Sequence, residues 1–124
     1  MPKILIVDDD PDVVETTTIV LENDGLTVVS ASNVKDGMAA VDREKPDLII
    51  LDVMMDEPDD GFVMAQDLRA RGIKTPILMV TSVGKVFGLQ FDKNSEMVPV
   101  DEYAEKPLDP KVLVAKVRGL LKIG

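Results

Sequence analysis

Short, uninterrupted aliphatic runs, set between longer segments of helical period, constrain this chain more than any other feature. Ile4-Leu5-Ile6-Val7, Leu48-Ile49-Ile50-Leu51 and Ile77-Leu78-Met79-Val80 are apolar at every position, and Thr27-Val28-Val29 is a shorter run of the same kind. A strand with one wet face alternates. A strand that is apolar throughout is buried on both faces, as happens when helices cover both sides of a parallel sheet. The intervening segments have the period to supply those helices. Asp12 to Asn23 places Val13, Thr17, Val20 and Leu21 on one side and stops at Asp24-Gly25. Asn33 can cap a helix running to about Lys45, with Val34, Met38 and Val41 inward and Pro46 closing it. Gly61 to Gly72 turns Phe62, Ala65 and Leu68 inward. Asp109-Pro110, a capping acid before a first-turn proline, opens a last helix with Leu113, Val117, Leu120 and Leu121 on its apolar stripe.

Strand and helix in alternation predict an α/β fold whose parallel sheet has right-handed crossovers. Five strands, the fifth near Asp101 to Glu105, suit a flavodoxin-like, doubly wound five-stranded sheet of order 2-1-3-4-5. Residues 82–100 (SVGKVFGLQFDKNSEMVPV) depart from this pattern, with two glycines, a proline and no clean period. A helix belongs between strands four and five. The sequence offers only a short one around Lys85 to Gln90, so the fourth helix is expected to be atypical or shortened. The 124 residues contain no linker or repeat and read as one domain, with no output domain after Gly124.

In doubly wound sheets, ligands bind beyond the carboxyl ends of the strands, where the strand order reverses. Here the first strand runs into Asp8-Asp9-Asp10, the third into Asp52, the fourth into Thr81-Ser82 and the fifth into Lys106. Carboxylates gathered there repel, by roughly 1 kcal/mol per pair at ~4 Å in water and about 4 kcal/mol near a protein surface. One lysine cannot offset three acids, but a hard divalent cation can. The chain has no histidine and no cysteine, which excludes disulfides, thiol chemistry and the commonest general base. An oxygen-only donor set favours Mg²⁺ or Mn²⁺ over zinc. A cation held by a few carboxylates keeps positions open for phosphoryl oxygens, and a central carboxylate can attack phosphorus. The Thr81 hydroxyl and Lys106 ammonium would then stabilise charge on the equatorial oxygens. Taken singly, each residue has a plainer role: Asp8 to Asp10 as helix caps, Thr81 as a strand-end hydroxyl, Lys106 as a surface lysine, Tyr103 as packing. Convergence at one sheet edge favours the site. The acidic loop from Asp56 to Gly61 has some features of a calcium loop, but Pro58 takes a ligand position and Asp67 stands where a bidentate Glu is needed.

The net charge of −9 opposes binding to nucleic acid. No apolar stretch approaches the ~20 residues of a membrane span, and no signal peptide precedes the first strand. A cytoplasmic protein is expected.

Residues 3–12 (KILIVDDDPD), 47–55 (DLIILDVMM), 76–82 (PILMVTS) and 103–107 (YAEKP) resemble the four motifs of the response regulator receiver family, and the length matches its single-domain, CheY-like members. The resemblance implies that Asp52 is the phospho-acceptor and that Asp8 and Asp9 are the acidic pair. Asp9 would bind Mg²⁺ (or Mn²⁺) directly and Asp8 through water, with Asp52 and the backbone carbonyl of Met54 as further ligands. Thr81 matches the switch hydroxyl, Tyr103 the switch aromatic and Lys106 the phosphate-binding lysine. The implied function is two-component phosphorelay signalling: a stand-alone receiver takes a phosphoryl group from a sensor histidine kinase or phosphotransfer protein and signals through altered protein–protein binding, as a monomer or weak homodimer. It would be no enzyme beyond its own phosphorylation and dephosphorylation. Three departures stand out. Asp56 occupies the usual place of a proline, the loop after it is about one residue longer and more acidic than usual, and residues 82–100 replace the usual fourth helix. Two alternatives stay open: a receiver-like binding module that is never phosphorylated, and a phosphatase with an aspartyl-phosphate intermediate, for which Asp8 and Asp10 have the right spacing.

Overall fold

Each aliphatic run forms a strand, and every strand lies parallel to its neighbours. A computed structural model describes residues 2–52, 60–82, 100–106 and 109–122, without the side chains of 60, 81, 82, 105 and 106. The strands are β1 (Lys3–Val7), β2 (Thr27–Ala31), β3 (Leu48–Asp52), β4 (Ile77–Ser82) and β5 (Glu102–Lys106), in the order β2-β1-β3-β4-β5. The helices among the described residues are α1 (Pro11–Asn23), α2 (Val34–Glu44), α3 (Asp60–Ala70) and α4 (Pro110–Leu121). The architecture is the doubly wound one expected. The stretch that raised doubt about a further helix lies, from residue 83 to 99, outside the described residues.

The side chains of each strand divide between two cores. Leu5, Val7, Ile49, Leu51, Ile77 and Met79 pack under α2 and α3 with Ala40, Val41, Met64, Ala65 and Leu68. Ile4, Ile6, Leu48, Ile50, Leu78 and Val80 pack under α1 and α4 with Leu21, Leu113 and Val117. Because both faces are covered, no polar residue could stand at these positions without a buried partner, hence the uninterrupted runs.

Local chemistry sets the helix ends. The Asp10 carboxylate accepts from Asp12 N–H at 2.9 Å and from Val13 N–H at 3.4 Å, which starts α1 at Pro11, one residue earlier than its apolar period alone suggests. Asn33 accepts from Asp36 N–H at 2.8 Å and Asp109 from Lys111 N–H at 2.8 Å, as capping predicts. Gly25, at φ +86, ends α1. Its N–H bonds to the Glu22 carbonyl and that of Leu26 to the Leu21 carbonyl, while Leu21 and Leu26 meet in the core, a Schellman ending. Strand boundaries differ from the sequence reading as well, β2 and β5 among them. β2 continues through Ser30 and Ala31, because all five of its residues pair with β1. β5 is shifted by one residue, to Glu102–Lys106, because the Asp101 carboxylate accepts from Ile77 N–H at 2.9 Å and from Arg69 Nη2 at 2.8 Å, so Asp101 precedes the ladder.

Candidate functional site

The register of the sheet carries two acids to the same level. Val7 pairs with Leu51 across β1 and β3, so the next residues, Asp8 and Asp52, stand side by side at the carboxyl edge. Asp52 is the last residue of β3 and pairs with Val80 of β4. Asp8 is 4% exposed and Asp52 6%, values unusual for carboxylates without a function or a partner. Asp9 is exposed. One carboxylate oxygen from each of Asp8, Asp9 and Asp52 lies within 4.8 Å of the other two.

Backbone hydrogen bonds hold this arrangement. Asp8 N–H donates to the Ala31 carbonyl at 3.1 Å, which continues the β1–β2 ladder one residue past Val7. Asp8 Oδ1 accepts from Asp10 N–H at 2.9 Å, fixing the carboxylate at the turn into α1. Asp10 itself caps the helix, so the acidic triplet divides its labour: Asp8 and Asp9 face the site and Asp10 faces the helix. The dense negative charge at an entirely oxygen donor set is the arrangement that a hard divalent cation relieves, and the three carboxylates fit such an ion.

The remaining predicted residues are placed by backbone. Thr81 pairs with Glu105 and Ser82 with Lys106, so both Thr81 and Lys106 belong to the carboxyl edge that holds Asp52. Their side chains, and the whole of Met54, lie outside the described residues. Tyr103 pairs with Met79 and is partly buried against the α2–α3 core. One feature escaped the sequence reading: a cavity of about 740 Å³ that includes Asp8 and Asp9 and extends over residues of α1, β2 and α2, among them Ser30, Asp36 and Arg43. It is made by the juxtaposition of three elements, and no spacing along the chain announces it.

Known proteins resemble this chain closely. The family described as response regulator receiver domain matches residues 4–118. The chain is 39% identical over 128 residues to the DNA-binding dual master transcriptional regulator RpaA of Synechocystis sp., covering 98% of this chain and 50% of that protein. It is 36% identical over 124 residues to the alkaline phosphatase synthesis transcriptional regulatory protein PhoP of Bacillus subtilis, covering 97% of this chain and 48% of that one. The chain thus spans about half the length of these curated relatives. The crystal structure of a CheY-like response regulator receiver domain protein from Methanospirillum hungatei superposes with a TM-score of 0.81 at 27% identity, covering 98% of this chain and 94% of that one.

Proposed function

Because the chain belongs to the response regulator receiver family, we propose that Asp52 accepts a phosphoryl group in a Mg²⁺-dependent reaction, and that Asp8 and Asp9 hold the ion. The observation that carries this reading is the meeting of three carboxylates within 4.8 Å at the carboxyl edge of the sheet. Asp52 ends a strand buried at every position, so its carboxylate has a fixed place from which to attack. One oxygen bonds to phosphorus while the phosphorus–nitrogen bond of a phosphohistidine breaks, and the bonding pair leaves with the imidazole. This chain has no histidine, so the donor is a sensor histidine kinase or a phosphotransfer protein. Asp9, Asp52 and the Met54 carbonyl would hold Mg²⁺ (or Mn²⁺) directly and Asp8 through water, and the bound ion would supply positive charge to offset the carboxylates and the phosphoryl oxygens. Lys106 contributes an ammonium to the phosphoryl oxygens and Thr81 a hydroxyl. Movement of Thr81 toward the phosphoryl group, with Tyr103 repacking, is the proposed switch.

The chain is proposed to act as a signalling module in the cytoplasm, without turnover of a substrate, and to signal through altered binding to another protein. Among the described residues, no helix is long and apolar enough to cross a membrane. The curated relatives are transcriptional regulators about twice as long. A DNA-binding unit, in a partner or in the same polypeptide, is therefore a suitable recipient of the signal. Binding of nucleic acid by this acidic unit itself is not proposed.

Incubation with Mg²⁺ and a small acyl phosphate should add one phosphoryl group per chain, read as intact mass. Asp52→Asn should abolish the addition, and labelling that persists in this variant would overturn the assignment. If Mg²⁺ and phosphodonor leave the amide spectrum of the protein unchanged, the chain is instead a binding module that is not phosphorylated.

A further inference from the structure

Among the described residues, no strand covers the outer edge of β2, and a cavity that includes Asp8 and Asp9 reaches Ser30 and Ala31 on that edge. Among the described strands, β2 pairs only with β1. Thr27 N–H donates to the Pro2 carbonyl at 3.0 Å, and the Ala31 carbonyl accepts from Asp8 N–H at 3.1 Å. In a parallel ladder, alternate residues bond to opposite sides, so the N–H and C=O groups of Val28 and Ser30 point away from β1. Natural edges are blunted by charges, proline, bulges or a covering element. Thr27-Val28-Val29-Ser30-Ala31 has neither charge nor proline, and its register with β1 is continuous.

The cavity of about 740 Å³ is lined by Ser30 and Ala31 of β2, by Val14 and Glu15 of α1 and by Asp36, Ala39 and Arg43 of α2. Its size falls in the usual range for binding clefts, about 300–1,000 Å³. Apart from Asp8 and Asp9, which belong to the ion site, its charged lining is Glu15 and Asp36 against the single base Arg43. A second copy of this chain is a poor occupant, since each copy has a net charge of −9 and presents the same acids.

We propose that the outer edge of β2 accepts an extended, basic peptide segment of a partner protein as a sixth strand. The peptide main chain bonds to Val28 and Ser30, and its lysine or arginine side chains face Glu15 and Asp36. Main-chain pairing supplies the affinity and the flanking acids select the sign of the partner's charge. The cavity shares Asp8 and Asp9 with the ion site, whereas the pairing groups, the outward main-chain groups of Val28 and Ser30, do not involve Asp52.

The test is amide NMR of the whole chain, titrated with a short synthetic peptide in which lysines occupy adjacent positions between valines, so that both strand faces carry lysine, and, as control, the same peptide with glutamate in place of lysine. The lysine peptide should shift the amides of Val28, Ser30 and Ser32 first, slow hydrogen exchange at Ser30, and bind at least roughly tenfold more tightly than the control. Ser30→Pro removes only an outward N–H and should weaken binding roughly tenfold while leaving the β1 pairing in place. Should that variant fail to fold, Glu15→Lys with Asp36→Lys, both on exposed helix positions, should give the same loss. Absence of binding, shifts centred away from β2, equal affinity for both peptides, or full affinity in the charge-reversed variant would each overturn the proposal.

Discussion

Asp8 and Asp52 are held almost out of solvent, with Asp9 beside them, and their mutual repulsion is a cost that the ion-free protein bears. Asp9→Asn removes one charge from the cluster. Without Mg²⁺ this variant should be more stable than the parent, by about 1 kcal/mol. Added Mg²⁺ should raise the melting temperature of the parent through binding linkage and do little for the variant. Thermal denaturation with and without the ion checks both outcomes, and equal Mg²⁺ responses would remove Asp9 from the ion's ligands. A second acid, Glu44, lies far from the site. Hydrogen bonds from Arg43 at 2.9 Å and Lys3 at 3.0 Å hold its carboxyl below the ordinary carboxylate value. A carboxyl lowered on folding contributes its stability above its unfolded pKa and loses it as pH falls through the folded one. The cost of Glu44→Gln should therefore be present near neutral pH and vanish in acid, as denaturation at several pH values would reveal. At this scale the sequence was informative where acids followed apolar strands. It was silent on Asp8 Oδ1 accepting from Asp10 N–H, because that bond depends on the path of a turn.

The helices illustrate what local chemistry can and cannot announce. Asp10, Asn33 and Asp109 all cap as their residue types suggest, and Gly25 ends α1 where a left-handed residue is required. Lys45 also takes a left-handed conformation, at φ +48. Nothing in its type announces this, since such a position usually falls to glycine or asparagine. Gly37 is the reverse case, a glycine inside α2 where helix propensity disfavours it. Its place is explained by close packing: a Cβ there would stand 3.1 Å from both Val7 methyls and from Met64 Cε. Gly37→Ala gains up to about 1 kcal/mol of helix propensity, but it presses on a fully buried β-branched residue, at a cost of roughly 1–3 kcal/mol. Net destabilisation of about 1 kcal/mol is expected in urea denaturation. Val7 immediately precedes Asp8, so Mg²⁺ affinity should fall as well.

For the molecule as a whole, strand order and the two-sided core were legible because aliphatic runs without alternation have few ways to be buried. The carboxyl edge followed from the same topology, which sends Asp8, Asp52, Thr81 and Lys106 to one side of the sheet. The cavity along β2 was not legible, since it depends on how α1 and α2 flank an edge strand and on the spacing between them. The central claim is that this edge gathers its acids around one small hard ion, with Asp52 facing phosphorus. A crystal structure with Mg²⁺ and a phosphate mimic tests it most directly. Carboxylate oxygens of Asp9 and Asp52 should lie about 2.0–2.1 Å from the ion, with the mimic against the other Asp52 oxygen. An ion bound elsewhere, or the Asp9 and Asp52 side chains turned apart, would contradict the account.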